Sequence, residues 1–170
     1  MKAVPRTRVL LLYVAVLGLA LSQPLMAATA TSNVTVSATV SATAKLSLSA
    51  ATVSFADADP DTTPSITATE GAVTITAKGK TSNGSSITLT LLAAADLVSG
   101  TDTIAISNVT WTASGTGFVA GTMSKTAAQS VGSWTDSGNR SGTVTFALAN
   151  SWSYKTGSYS AAATYTLTSP

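Results

Sequence analysis

Three carboxylates stand at alternate positions in one short segment, as Asp57, Asp59 and Asp61. Carboxylate oxygens are the hard ligands that Ca²⁺ prefers. An EF-hand loop starting at Asp57 would need a glycine at its sixth position and a glutamate at its twelfth, but Thr62 and Ala68 stand there. The spacing therefore predicts a looser calcium site in a loop, with an ordinary acidic turn as the alternative.

Three tryptophans, Trp111, Trp134 and Trp152, lie in the second half of the chain. Large aromatic side chains usually anchor a small core, and this is the first interpretation of all three. The second is a stacking platform for sugar rings. Only Ser153 lies between Trp152 and Tyr154, so a strand there would place both rings on one face. These two residues are the candidate glycan-binding site.

Catalytic residue types are scarce. The chain has no cysteine and no histidine, and its single glutamate is Glu70. These absences exclude the usual zinc sites, disulfides and nucleophiles activated by histidine. A serine nucleophile would need lysine as its base, and a carboxylate pair would have to come from aspartates or from Asp96 with Glu70. Because no recognisable motif surrounds any of these, we expect no enzymatic activity and no cofactor other than the calcium considered above.

The first thirty residues have the three-part layout of a secretory signal peptide. Lys2, Arg6 and Arg8 precede an uncharged apolar stretch at residues 9–21, and small residues follow up to Ala30. The apolar stretch is short for a membrane span, which needs roughly 20 residues. We therefore expect residues 1–30 to be removed, no transmembrane anchor after cleavage, and a secreted, extracellular or cell-surface protein that is periplasmic in an organism with two membranes.

Removal of this segment changes the charge of the chain. The whole sequence carries a formal charge of +2, whereas residues 31–170 hold six lysines or arginines against seven acids, which is −1. Binding to a phosphate backbone requires clustered cations. Nucleic acid is therefore not an expected partner.

Residues 31–170 alternate apolar and hydroxyl side chains with a period of two, which indicates strands with one apolar face. The runs are separated by predicted turns such as Glu70-Gly71, Lys78-Gly79-Lys80, Asn83-Gly84 and Ser99-Gly100. Residues 91–97 are the one place where a helical turn competes with the end of a strand. Many short strands in one chain predict an all-β fold, a single Ig-like antiparallel β-sandwich. The strand-like runs lie at residues 34–40, 46–48, 53–55, 73–77, 87–91, 104–106, 144–148 and 159–167.

The first of these runs, residues 34–40, has two interpretations. It pairs within its own sheet, which needs no partner and is the favoured one. Alternatively it is an N-terminal strand that adds to the open edge of a neighbouring subunit, as in strand-addition pili.

The end of the chain, from Gly157 and Tyr159 through Thr164-Tyr165-Thr166-Leu167 to Pro170, resembles the closing strand of WxL-type bacterial cell-surface domains. Tyr165 stands where that family carries tryptophan, and Trp111-Thr112-Ala113 is the nearest match to its upstream motif. Residues 34–55 are similar to the start of fimbrial and spore-coat-like secreted sandwiches. The resemblance implies a wall-associated or surface role without catalysis.

Together these features predict an exported, non-catalytic structural or adhesive protein of the cell surface or envelope. Its expected partners are cell-wall polymer, other surface proteins or copies of itself. One alternative is a glycan- or cell-wall-binding module that uses Trp152 and Tyr154. The other is a self-assembling pilus-type subunit that donates its N-terminal strand.

Overall fold

A computed structural model describes residues 29–170 of the chain. This part is built from strands, with one 3₁₀ turn at Ile106–Asn108 and no α-helix. Its ten strands are β1 (Thr43–Leu48), β2 (Ser65–Lys80), β3 (Ser86–Ala93), β4 (Leu97–Ser99), β5 (Asp102–Ile104), β6 (Val109–Ser114), β7 (Gly121–Thr122), β8 (Gln129–Thr135), β9 (Gly138–Ala149) and β10 (Ala163–Thr168).

The strands form two main sheets. One has the order β1-β2-β9-β6-β7, the other has the order β10-β3-β8, and β4 and β5 make a separate hairpin. Every pairing is antiparallel. The two main sheets pack around a single apolar cluster. The predicted all-β antiparallel sandwich is therefore confirmed.

The core follows directly from the two-residue period. In β3, Ile87, Leu89 and Leu91 are buried, while Thr88 and Thr90 between them point outward and keep part of their surface exposed. The same alternation runs along β2 and β9. Thr suits the outer face because its β-branched side chain fits a pleated, half-exposed surface. The abundance of threonine therefore has a structural cause.

Several predicted turns and strands are placed differently. Glu70-Gly71 and Lys78-Gly79-Lys80 were expected to be turns, but both lie inside the long strand β2. The pairing of β2 with β9 is irregular at Glu70-Gly71. Thr67 pairs with Ala147 and Ala72 pairs with Thr145, so β2 has extra residues between these two pairs. This is a bulge, and Gly71 allows it by adopting a φ of +66°. Residues 53–55 were expected to be a strand and instead belong to a loop.

Two tryptophans anchor the core, as expected. Trp111 and Trp134 are 2% and 6% exposed. The indole N–H of Trp111 donates to the carbonyl of Val119, and that of Trp134 donates to the carbonyl of Thr116. Trp134 fits only because Gly117 is beside it. A Cβ there would lie 2.3 Å from the indole nitrogen, and the glycine has a φ of +81°.

This packing closes one long side of the sandwich. Next to Trp134, the backbone of residues 117–119 bonds to β8 on the other sheet: Val119 N–H donates to Val131 and Ser133 N–H donates to Gly117. Phe118 and Gly132 form a bridge between them. Backbone hydrogen bonds therefore join the two sheets along this side.

The residues before β1 have a different character. Residues 29–42 contain no assigned strand or helix, so the favoured pairing of residues 34–40 within their own sheet is not formed. The predicted signal peptide lies, except for its last two residues, outside the described part of the chain. Among residues 29–170, no helix has the length and apolar character to cross a membrane.

The alternation predicts unequal sensitivity to truncation. Leu89 is fully buried, so Leu89→Ala leaves a cavity and should lower the free energy of unfolding by about 2–5 kcal/mol. Thr112→Ala, on the exposed face of β6, should change it by about 0.5 kcal/mol or less. Urea denaturation followed by fluorescence measures both, and equal effects would contradict the assignment of faces.

Candidate functional site

The other long side of the sandwich, between the edge strands β1 and β10, is open. At one end, side-chain hydroxyls tie the sheets together: Ser169 Oγ donates to the carbonyl of Lys80 and Thr81 Oγ1 donates to that of Pro170. Towards the far end, near Leu48 and Ala163, the sheets enclose an open cleft of about 1560 Å³. The free edges of β1 and β10 therefore border a gap in the sandwich.

The floor of this cleft is the apolar core itself. Leu91, Val109, Phe146 and Leu148, from strands of both sheets, line it together with Tyr165 of β10. Residues 49–64, which connect β1 to β2, and residues 150–162, which connect β9 to β10, supply its walls. These loops leave Leu91, Val109, Phe146 and Leu148 only 2–8% exposed, and the cleft presents no group of catalytic side chains among the residues described.

Glu70 holds the first wall in place from the β2 bulge. Its Oε2 accepts a hydrogen bond of 2.8 Å from the backbone N–H of Ser54, and Thr69 N–H donates to the carbonyl of Ser54. The bond from the Ser54 N–H lowers the pKa of the Glu70 carboxyl below its ordinary value, because it favours the charged form. The bulge thus positions a carboxylate that fixes the loop.

Asn150 joins the two walls. Its side-chain amide donates to the carbonyls of Ala58 and Thr63 at 2.9 and 3.0 Å, and its backbone N–H donates to Pro64. The side-chain amide and the backbone N–H of this half-buried residue therefore satisfy three carbonyls of the facing loop. Because a buried backbone carbonyl without a partner is costly, this residue keeps the two loops together.

The structure separates the two candidate glycan-binding residues. Residues 151–154 form a turn, so Trp152 and Tyr154 do not share a strand face as predicted. Trp152 is 71% exposed, and its Nε1–H donates to Asp61 Oδ1. Tyr154 packs against the core, where its hydroxyl donates to Ala149 and accepts from the Asn108 amide. Tyr154 is therefore held against the core, whereas Trp152 is an exposed ring on the wall of the cleft.

Two of the three candidate calcium ligands, Asp59 and Asp61, accept hydrogen bonds. Asp59 Oδ1 accepts from the backbone N–H of Asp61, which stabilises a turn, and Asp61 itself accepts from Trp152. Within residues 29–170, no group of three acidic, histidine or cysteine side chains is arranged to hold a metal ion. The calcium site at Asp57, Asp59 and Asp61 stays a prediction, and in the structure Asp59 and Asp61 lie in a hydrogen-bonded turn.

The two carboxylates named as a possible catalytic pair, Asp96 and Glu70, each have partners of their own. Asp96 pairs with Lys125, and its other oxygen accepts from the backbone N–H of Ile106. The Lys125 contact, with the Ile106 bond, lowers the pKa of Asp96. Glu70 is bound to Ser54, and its pKa is lowered as well. Both sets of contacts favour the charged form of the carboxylate.

Tyr165 has an unusual environment at the cleft. Its hydroxyl is buried and has no hydrogen-bond partner among residues 29–170. Burial raises the pKa of this phenol to about 12, because the charged form is poorly solvated there. A buried polar group without a partner is destabilising. Tyr165, on β10 at the edge of its sheet, therefore carries a buried donor without a partner among the described residues.

Comparison with known proteins finds no matching family model, no matching curated protein and no matching solved structure. The functional argument therefore depends on the geometry of this chain.

Sequence patterns did not predict the cleft or the residues that support it. Glu70, the only glutamate, is followed by Gly71 within an otherwise alternating run. This pair was the one sequence feature that could have indicated a bulge carrying a carboxylate. The role of Asn150 had no local signal, since its partners lie about 90 positions earlier, at separations of 92 and 87 residues.

The Glu70 contact predicts a pH dependence. The folded-state pKa lies below the ordinary value of 4.5, so this carboxylate contributes stability above pH 4.5 that is lost as the pH falls through the folded pKa. Glu70→Gln cannot ionise. The difference in urea midpoint between wild type and Glu70→Gln should therefore shrink as the pH is lowered from 7 to below 4. A constant difference over this range would show that the carboxylate charge does not hold the loop.

Proposed function

We propose that this chain is an exported, non-catalytic structural subunit of the cell surface that associates with copies of itself. In this proposal residues 34–40 of one copy add to the open side of the next. The main observation behind this proposal is that residues 34–40 have the alternating pattern of a strand but are not part of any strand within residues 29–170.

The donor segment has an unpartnered apolar face. Val34, Val36 and Val40 are 86%, 87% and 74% exposed, and Thr and Ser alternate with them. Complete burial of a valine side chain contributes about 1.5–3 kcal/mol. As a strand, the segment would present all three valines on one side, together with Ala38. It is therefore suited to cover an apolar surface elsewhere.

The acceptor is the cleft between β1 and β10. Both are edge strands, and an edge strand presents unpaired backbone donors and acceptors to an added chain. The lining of the cleft includes partly exposed apolar side chains, Leu48, Val53 and Phe55, which match the valine face of the donor. Hydrogen bonding and apolar burial thus favour the same position.

Export is supported by the sequence. The charged start, apolar stretch and small residues of positions 1–30 have the layout that secretion requires. The remaining chain has 13 charged residues and a surface rich in hydroxyls. Low mutual repulsion favours close packing of subunits at a surface.

A pair of charge substitutions tests this proposal. Val36→Arg places a cation on the apolar face of the donor and should abolish assembly, because an unpaired charge would enter the cleft. Thr35→Arg adds the same charge to the opposite face and should assemble like the wild type. The exported protein is measured by size-exclusion chromatography with light scattering over a range of concentrations.

Deletion of residues 31–42 provides the control for folding. The deleted protein should remain monomeric with an unchanged melting temperature. A wild type that is monomeric at every concentration would refute the proposal, and so would unfolding of the deletion variant, because that would place the segment within its own fold.

A further inference from the structure

Trp152 stands out among the aromatic residues of the described chain. Trp111 and Trp134 are buried in the core, whereas Trp152 leaves 71% of its surface in solvent. Its indole N–H is nevertheless satisfied by Asp61 Oδ1 at 3.0 Å. The ring therefore adds little to the core but has a defined orientation.

The support below this ring is fixed by several hydrogen bonds. Asp61 lies in a turn closed by Thr63 N–H donating to the carbonyl of Asp59, and the Asp61 N–H donates to the Asp59 carboxylate. On the other loop, Ser151 Oγ accepts from the backbone N–H of Ser153. Asn150 joins the two loops through its side-chain amide. Trp152 and Asp61 are thus held on a preorganised surface, which reduces the entropy lost on binding.

We infer that Trp152 and Asp61 form a binding site for a β-1,4-linked pyranose polymer. Equatorial linkages leave the C–H faces of such a sugar flat and apolar, and these faces stack on an exposed aromatic ring. The ring hydroxyls lie at the edge of the sugar, where a carboxylate accepts their hydrogen bonds strongly because it is charged. An exposed indole with a carboxylate at its edge provides both contacts.

This site goes beyond the assembly proposed above and differs from the pair predicted by sequence. Tyr154 is excluded, because its hydroxyl is bonded to Ala149 and Asn108 and its ring packs against the core. Asp61 replaces it, although the sequence suggested a calcium ligand at that position. The subunit would then bind polymer through loop residues and its own copies through the strand edge.

A sedimentation assay with insoluble polysaccharides tests the inference. The exported protein is mixed with chitin, cellulose and, as an α-linked comparison, starch granules. Wild type should sediment with chitin or cellulose in preference to starch. Trp152→Ala and Asp61→Ala should each weaken this binding about tenfold or more, as expected for loss of a stacking or charged hydrogen-bonding group. Val119→Ala, which shortens another exposed apolar side chain, should leave it unchanged.

Melting temperatures separate a binding role from a structural one. Since Trp152 is largely exposed, Trp152→Phe and Trp152→Ala should both keep the wild-type melting temperature while Trp152→Ala loses polymer. The Val36→Arg protein should bind polymer like the wild type, which makes this result independent of assembly. Absence of binding to both chitin and cellulose, equal binding to starch, or undiminished binding by Trp152→Ala would overturn the inference.

Discussion

The two sheets of this sandwich are joined by backbone hydrogen bonds along one long side only, within the part of the chain that the structure describes. Beside Trp134, residues 117–119 bond to β8 and seal that side. Between β1 and β10, side-chain hydroxyls make the connection at one end. On this side the core is covered by loops instead of a strand, so the edges of β1 and β10 stay free beside it. The cleft follows from this asymmetry.

The remaining features compensate for the open side. Two long loops wall the cleft, and they need fixed positions because they have no sheet to support them. Glu70 at the β2 bulge holds one loop, and Asn150 joins it to the other. The same bonds fix the turns that carry Asp61 and Trp152. Support of the cleft and orientation of the exposed ring therefore depend on one set of hydrogen bonds.

The fold was predictable where local pattern determines structure. Alternation at residues 73–77, 87–91 and 144–148 correctly identified strands and their buried faces. Prediction was wrong at Glu70-Gly71, where residues typical of a turn make a bulge inside a strand. It was also wrong for Tyr154, because residues 151–154 turn instead of extending. The cleft depends on contacts between residues far apart in sequence, so no local pattern could indicate it.

The central claim is that residues 34–40 of one copy lie beside β10 of another. Because the chain has no cysteine, introduced cysteines report this contact directly. Thr35 and Thr166 would both lie on the outer face, and outward side chains on adjacent strands lie about 5 to 8 Å apart. Exported proteins carrying Thr35→Cys or Thr166→Cys should, when mixed, form covalent dimers with a short bis-maleimide. Thr112 lies on the other sheet, so mixing Thr35→Cys with Thr112→Cys should give few covalent dimers. Equal cross-linking at the two positions, or none at either, would contradict the account.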